Sequence, residues 1–298
     1  MLIGEITMGL DAYVYCNCYT EGKTTMPPVA KELLYVDDEG CLSIHYPSVM
    51  AKEERWVLAD KLAEWEKSCC DHYERRAYET RISNWFGVRK FQDAVIKANK
   101  YPTLESIIPE GNGGCVEATQ SPQVLAELED FCNRMGEVEG VFLIDAKTGE
   151  TIYSCLSSII ISWQDKEKLN IGFDSNGLFV MVGETKADFN HFVDTKGSYE
   201  MESTAALEQF RSKHFTREFV AEEERTDNRD RTFKVRLSLL TDIETKEQYK
   251  VEFLSECPEM FEFKVITRPY EANDFGAIKP LRQLLKASIE TGNPIYWT

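Results

Sequence analysis

The stretch "LDAYVYCNCY", residues 10–19, alternates between two kinds of side chain. Small or apolar residues occupy every second position, namely Leu10, Ala12, Val14, Cys16 and Cys18. Polar or aromatic residues lie between them. Because successive side chains of a strand point to opposite faces, this pattern predicts a β-strand with one buried face. The predicted strand ends before Gly22 and the Pro27-Pro28 pair.

The rest of the N-terminal part shows mainly helical spacing. Residues 51–70 carry an apolar stripe that recurs every three or four positions and continues to residue 72. Its members are Leu58, Leu62, Trp65, Cys69 and His72. A second helical pattern runs over residues 78–98, and a third helix is predicted from the Ser121-Pro122 pair to Gly136. The sequence therefore predicts a helix-rich N-terminal domain with an initial strand, residues 1–138.

After residue 138 the spacing changes to that of strands. Residues 233–239, 249–253 and 261–265 each alternate apolar with polar side chains, which is typical of an antiparallel meander. Ser175-Asn176-Gly177 predicts a hairpin turn, and residues 204–214 predict a helix. A final helix is predicted from Pro280 to Gly292. We therefore expect a second domain, residues 139–298, that contains an antiparallel sheet and a C-terminal helix.

The predicted fold class is α+β, with a mainly helical N-terminal part followed by a mostly antiparallel sheet with flanking helices. The chain has 298 residues, of which 43% are hydrophobic. This length suits two domains, and this much apolar material is enough to form their cores without disulfides.

Composition and charge exclude several classes of function. The longest apolar run, around residues 159–161, is far shorter than the ~20 residues that a membrane span needs. The net charge of −17 argues against direct binding of nucleic acid, because an acidic surface repels phosphates. The nine cysteines and the absence of a visible signal peptide predict reduced thiols and a cytoplasmic location.

Cys16, Cys18, Cys69 and His72 are the candidates for a metal site. Residues two apart on a strand share a face, and residues three apart on a helix are neighbours. Two ligands from each element would complete a tetrahedral Cys3His set for zinc. The same residues also continue the apolar faces of the two elements, and free cysteine packs as a small hydrophobe. We favour core packing with no cofactor, and zinc is the alternative.

Two further groups are candidate binding residues. Asn112, Gly113 and Gly114 lie in a long connection of the kind that often carries binding function. No Lys-Ser or Lys-Thr follows them, so a phosphate-binding loop is not indicated. Aromatic side chains outside the predicted core are typical interface anchors. These are Tyr13, Tyr15, Tyr19, Tyr296 and Trp297.

Several stretches resemble a known family. "MGLDAYVYCNCY", "RISNWFGVRKFQDAV", "PEGNGG" and "ASIETGNPIYW" are similar to a family of uncharacterised bacterial proteins that open with a Met-Gly-Leu-Asp stretch. The resemblance touches both ends and the middle of the chain, and it carries no activity or site residue with it. It implies a bacterial or phage cytosolic protein, and it suggests Met8 rather than Met1 as the natural start.

Two hypotheses for the function follow. The first is an acidic cytosolic protein that binds a protein partner with a basic surface, as immunity or anti-defence inhibitors of toxins or nucleases do. A homo-oligomer is compatible with it. The second is a metal-dependent enzyme that uses the predicted cysteine–histidine set. The sequence contains no nucleophile elbow and leaves open whether the protein is an enzyme.

Overall fold

The structure is a computed structural model that describes residues 9–37, 40–164, 169–182, 207–226, 232–253 and 260–298. Its helices are α1 (Lys52–Glu66), α2 (Trp85–Ala98), α3 (Pro102–Ile107), α4 (Ser121–Arg134) and α5 (Ile278–Thr291). None of these described helices has the length and apolar character needed to cross a membrane.

The strands of the first half are β1 (Gly9–Tyr15), β2 (Leu34–Val36), β3 (Leu42–Ile44), β4 (Arg76–Asn84), β5 (Cys115–Val116), β6 (Glu139–Asp145) and β7 (Thr151–Cys155). Those that follow are β8 (Ser158–Gln164), β9 (Leu169–Asp174), β10 (Gly177–Val182), β11 (Leu207–Ser212), β12 (His214–Thr226), β13 (Thr232–Asp242), β14 (Gln248–Phe253), β15 (Met260–Pro269) and β16 (Ile295–Trp297). All their pairings are antiparallel, and the fold is α+β.

The chain divides into two compact units. Residues 1–135 and 271–298 form the first, and residues 136–270 form the second. The sequence predicted one boundary, between residues 138 and 139. It lies close to the first observed boundary, which follows residue 135. The return of the chain to the first unit after residue 270 was not part of that prediction.

The first unit is built on a four-stranded sheet of order β4-β1-β16-β5. The inward face of β1 consists of Leu10, Ala12 and Val14, each at most 1% exposed. Helices α2 and α5 pack against β1 and β4, and α4 packs against α5. The alternation therefore produces a central strand, but the strand ends at Tyr15, and residues 16–19 of the predicted strand lie beyond it.

The N-terminal part is not mainly helical, so this part of the predicted fold class is wrong. Residues 76–84 form strand β4 and pair with β1 from Gly9↔Asn84 to Tyr15↔Arg76. Tyr78 and Ile82 suggested a helix because they lie four residues apart. A spacing of four also keeps two side chains on one face of a strand, so pairing with β1 decides the outcome.

Helix α1 is shorter than predicted, and this matters for the site. It ends at Glu66 rather than at residue 70, and an irregular segment leads from it to a 3₁₀ turn at Tyr73–Arg75. Its packing side chains, Leu58, Leu62 and Trp65, belong to a small apolar cluster with strand β3. The predicted helical stripe is thus confirmed for Leu58, Leu62 and Trp65, whereas residues 69 to 72 are not helical.

The second unit contains two sheets that share one apolar core. Their orders are β14-β13-β12-β15-β6-β7 and β11-β10-β9-β8. The predicted hairpin is confirmed, because Asp174 pairs with Gly177 at the β9–β10 turn. The helix predicted over residues 204–214 is wrong where the structure describes it, since residues 207–212 form β11. Residues 204–206 lie outside the described residues.

The prediction that helices flank the sheet of the second domain is also wrong. Within its described residues the second unit contains no α-helix, and α5 packs in the first unit. The apolar face of α5 includes Leu281, Leu284 and Leu285, which are at most 2% exposed. Those side chains cover β1 and β4 of the first sheet rather than the predicted meander.

Candidate metal centre

Two short segments meet just beyond the ends of regular elements. The first, residues 16–18, continues the chain from the end of β1, and the backbone N–H of Cys16 donates to the carbonyl of Arg75 at 2.7 Å. The second, residues 70–72, lies between α1 and β4. Because β1 and β4 are paired strands, their neighbouring ends bring the two segments together.

Four side chains from these segments, Cys16, Cys18, Cys70 and His72, form a group that we name the Cys/His cluster. One ligand atom of each lies within 4.8 Å of every other. The Sγ atoms of Cys16 and Cys70 are 3.9 Å apart, and the Sγ of Cys18 lies 3.3 Å from the Nδ1 of His72. Tetrahedral zinc with Zn–S bonds of ~2.3 Å requires sulfur atoms ~3.8 Å apart. These atoms are therefore arranged nearly as a zinc ion requires.

The geometry replaces Cys69 of the predicted set by Cys70. The Sγ of Cys69 contacts the carbonyl of Glu66 at 3.8 Å, and the side chain is 1% exposed. The prediction assumed a helix that continues through residue 72, on which Cys69 and His72 would be neighbours. Since α1 ends at Glu66, residues two apart in the following segment converge instead.

A pattern in the sequence could have identified Cys70. Cys16-x-Cys18 and Cys70-x-His72 have the same spacing of two, which puts both side chains of each pair on one side of an extended chain. The helical stripe obscured the second pair.

Burial controls the protonation of two of the cluster thiols, Cys16 and Cys18. Burial raises the pKa of Cys18 to about 12, and burial is also the main cause that raises the pKa of Cys16. Without a cation both thiols are protonated at neutral pH. A metal ion reverses this preference because it binds thiolates and displaces their protons.

The Cys18–His72 contact also resembles a nucleophile–base pair, which bears on the enzyme hypothesis. A distance of 3.3 Å allows a hydrogen bond between the thiol and the imidazole. An activated cysteine, however, needs a lowered pKa, and burial raises the pKa of Cys18 instead. The contact is therefore better suited to two ligands of one ion than to nucleophilic catalysis.

An ion pair between a buried arginine and a partly exposed glutamate lies next to the second segment. The guanidinium of Arg75, 1% exposed, binds Glu66 Oε1 at 3.1 Å and the carbonyl of Gly40 at 3.4 Å. Glu74 and Arg75 both have left-handed backbone angles, with φ of 50° and 55°. Non-glycine residues adopt that conformation at a cost and only where their surroundings hold them. The backbone that follows His72 is thus fixed in a strained turn.

The cluster lines a cavity of about 400 Å³ that opens toward solvent. Charged residues on its wall are mainly acidic, namely Glu21, Asp71 and Glu290, with Lys23 paired to Glu21 at 2.7 Å. Cys16 and Cys18 are buried, whereas Cys70 and His72 are partly exposed. A small molecule or ion can therefore reach the sulfur atoms from one side, through a mouth that favours cations.

The glycine loop lies at an edge of the first sheet. Gly113 donates its N–H to the carbonyl of Trp297 at 3.1 Å, and Trp297 donates to the carbonyl of Gly114 at 3.1 Å. Both glycines have positive φ, 98° and 89°. These contacts prolong the β5–β16 pairing, so the backbone gives a structural reason for the two glycines. The side chain of Asn112 is exposed.

The aromatic candidates separate into three environments. Tyr13, Tyr15 and Tyr296 contact one another, with ring centroids 5.2 to 5.7 Å apart, and are partly buried. Tyr19 packs edge-on against Trp65, which belongs to α1. Trp297 is 5% exposed and belongs to the buried face of its strand. They therefore do not form one exposed surface.

Comparison with known proteins adds no relative. No protein-family model matches the chain, and neither a curated protein nor a solved structure matches it at a significant level. The chemistry of the site must therefore be inferred from its own residues.

Proposed function

We propose that the protein binds a zinc ion through the Cys/His cluster. The observation that carries the proposal is the convergence of four ligand atoms within 4.8 Å, from two segments 54 residues apart. Thiolate and imidazole ligands in a tetrahedral arrangement suit zinc among the common biological metals. Hard cations such as Mg²⁺ and Ca²⁺ prefer oxygen ligands and are disfavoured by this set.

The proposed ion stabilises the structure rather than performing catalysis. Four protein ligands complete the tetrahedral coordination of zinc and leave no position for a water molecule. A catalytic zinc site instead keeps such a position open. The ion would fasten residues 16–18 to residues 70–72, next to the strained turn at Glu74 and Arg75. The metal-dependent enzyme hypothesis is thus less well supported than a structural zinc site.

Metal analysis tests the proposal directly. Protein purified without added metal is expected to contain about one zinc ion per chain. Replacement of the metal by Co²⁺ should give the intense visible and near-ultraviolet absorption of a tetrahedral cobalt–thiolate centre. Protein that contains no zinc, takes up none in a titration and gives no such cobalt spectrum would refute the proposal.

We also propose, as a second function, binding to a protein with a basic surface. The supporting observations are the net charge of −17 and two exposed apolar side chains on α1, Trp56 at 60% and Val57 at 51% exposure. Exposed tryptophan is a frequent anchor of interfaces, and opposite charge accelerates association. An inhibitor of a toxin or nuclease in the cytoplasm of a bacterium fits this description.

The second proposal requires an identified partner. A basic protein recovered with the chain from its host should associate more slowly as salt rises, because the screening length falls from about 10 Å at 0.1 M to about 3 Å at 1 M. Trp56→Ala should weaken the complex, whereas Tyr35→Ala, which removes an exposed aromatic residue from β2 rather than α1, should not. A partner whose binding depends on neither salt nor Trp56 would contradict this proposal.

A further inference from the structure

We infer that the Cys/His cluster is a redox switch, in which a hydrogen peroxide molecule converts Cys16 and Cys70 into a disulfide and the zinc ion is released. The inference rests on the proposed zinc binding and adds a regulation to it. It depends on three features of the cluster: which sulfur atoms can meet, which of them solvent can reach, and which ligands remain afterwards.

The first feature is the choice of partners. Cys16 and Cys70 have Sγ atoms 3.9 Å apart and belong to segments separated by 54 residues, so each can rotate toward the other. A disulfide requires ~2.05 Å between the sulfur atoms. Cys69 and Cys70 are adjacent in sequence, and Cys16 and Cys18 are separated by one residue; both pairs are poorly placed for unstrained disulfide geometry. Cys18 and Cys70 also belong to different segments and lie within 4.8 Å, but Cys18 contacts His72 at 3.3 Å, whereas the Cys16 and Cys70 sulfur atoms contact each other. The geometry therefore favours Cys16–Cys70.

The second feature is access. The cavity of about 400 Å³ is lined by Cys16, Cys18 and Cys70, and of these three only Cys70 is partly exposed. Hydrogen peroxide is small and uncharged, so the acidic mouth does not repel it. Oxidation of a cysteine follows its thiolate character and its exposure. Coordination to zinc supplies the thiolate, and the cavity supplies the exposure, so Cys70 is the first site of attack.

The reaction is balanced with peroxide as the only oxidant. The Cys70 thiolate attacks one peroxide oxygen, the O–O bond breaks, and Cys70 becomes a sulfenic acid while hydroxide leaves. The Cys16 thiolate then attacks the Cys70 sulfur, forms the S–S bond and displaces a second hydroxide. Two thiolates have together lost two electrons, and peroxide has gained them. Two protons from solvent convert the two hydroxides into water.

The third feature is the ligand set that remains. A disulfide sulfur is no longer an anionic ligand, so the oxidised cluster offers only Cys18 and His72. Two ligands cannot complete a tetrahedral zinc site, and the ion leaves through the open side of the cavity. Reduction of the disulfide restores four ligands and allows zinc to bind again. The switch therefore couples the oxidation state of two cysteines to the presence of a metal.

Oxidation of the zinc-loaded full chain tests the inference. After removal of unbound metal, the zinc content is measured, hydrogen peroxide is added, and released zinc is followed with a coloured chelator. The disulfides are mapped by mass spectrometry of peptides at several times. We expect zinc release to rise in step with the Cys16–Cys70 peptide, and a thiol reductant to restore zinc binding.

The matched control is Cys69→Ser, which removes the neighbouring thiol that lies outside the cluster. It should release zinc and form the Cys16–Cys70 disulfide as the parent does. Zinc that stays bound, or leaves while a different disulfide or only a sulfinic acid forms, overturns the inference and leaves zinc binding intact. Protein with no zinc before peroxide is added fails at the earlier step, so the two failures are distinguished.

Discussion

Cys16 of the first unit and Cys155 of the second are almost equally buried, at 3% and 6% exposure, yet they lie in different chemical surroundings. Cys155 ends strand β7, lies opposite Val141, and belongs to the large apolar core that both sheets of its unit share. Cys16 follows the end of β1 and faces other thiols and an imidazole. Burial alone does not separate a packing cysteine from a ligand; the convergence of donor atoms does.

The two positions also differ in what holds them. The backbone of Cys155 is fixed by regular pairing of β7 with β6, and its side chain follows from strand alternation. The cluster residues lie where regular elements have ended, and next to Cys70 and His72 the backbone is held by the ion pair of buried Arg75 with Glu66 and by a left-handed turn. Regular elements supply the scaffold, and the irregular segments at their ends supply the chemistry.

Removal of the ligands one at a time tests the difference between Cys16 and Cys155 with the largest expected change. Cys18→Ala and His72→Ala should reduce the zinc content from about one ion per chain to near zero, because a structural zinc site needs its four ligands. Cys155→Ala and Cys69→Ala should leave zinc content unchanged. Elemental analysis of the purified variants measures this. Zinc that persists in both Cys18→Ala and His72→Ala would refute the site, whereas loss of zinc from Cys69→Ala would mean that Cys69, as inferred from the sequence, is a ligand.

A second, smaller effect is the dependence of zinc affinity on pH. Burial raises the pKa of Cys16 and Cys18, so at neutral pH zinc must displace protons from the cluster thiols. Protons compete with the metal, and affinity therefore falls as pH falls, by up to about 10² per pH unit from the two protons of Cys16 and Cys18. Competition with a chelator between pH 6 and pH 8 measures the slope. An affinity that does not change over this range would mean that the thiols are not ligands.

Local patterns predicted several strands of the second unit but not their order. Alternation identified the strands that became β13, β14 and β15, and Asn176-Gly177 identified the β9–β10 hairpin. The expected meander order did not arise, because β15 pairs with β12 and β6 rather than with β14. Such order depends on contacts between distant residues, which a spacing of two cannot specify.

The same limit explains the misplaced helices and the missed ligand. A four-residue spacing at Tyr78 and Ile82 fits a helix and a strand equally, and only pairing with β1 selects the strand. The stripe over residues 51–72 was followed past Glu66, where nothing in the spacing marked the end of α1. That error exchanged Cys70 for Cys69. Three of the four cluster residues were nevertheless identified. Cys16 and Cys18 followed from the local Cys-x-Cys spacing, whereas His72 was chosen from a helical stripe that ends before it.

The last prediction compares how much serine at position 155 and serine at position 16 lower the free energy of unfolding of the zinc-free protein. Cys155→Ser replaces a thiol in an apolar core by a more polar hydroxyl, and we expect this to destabilise the fold by roughly 1–3 kcal/mol. Cys16→Ser, compared with the parent chain after zinc has been removed, should cost less, because a thiol, an imidazole and the cavity surround that position. Urea unfolding at pH 7 gives both differences.

Cys155→Ala provides the control for packing, with a cost of about 1–2 kcal/mol from the small cavity it leaves. If Cys16→Ser proved as costly as Cys155→Ser without zinc, the surroundings of Cys16 would be those of an ordinary core, and the contrast between the two cysteines would fail.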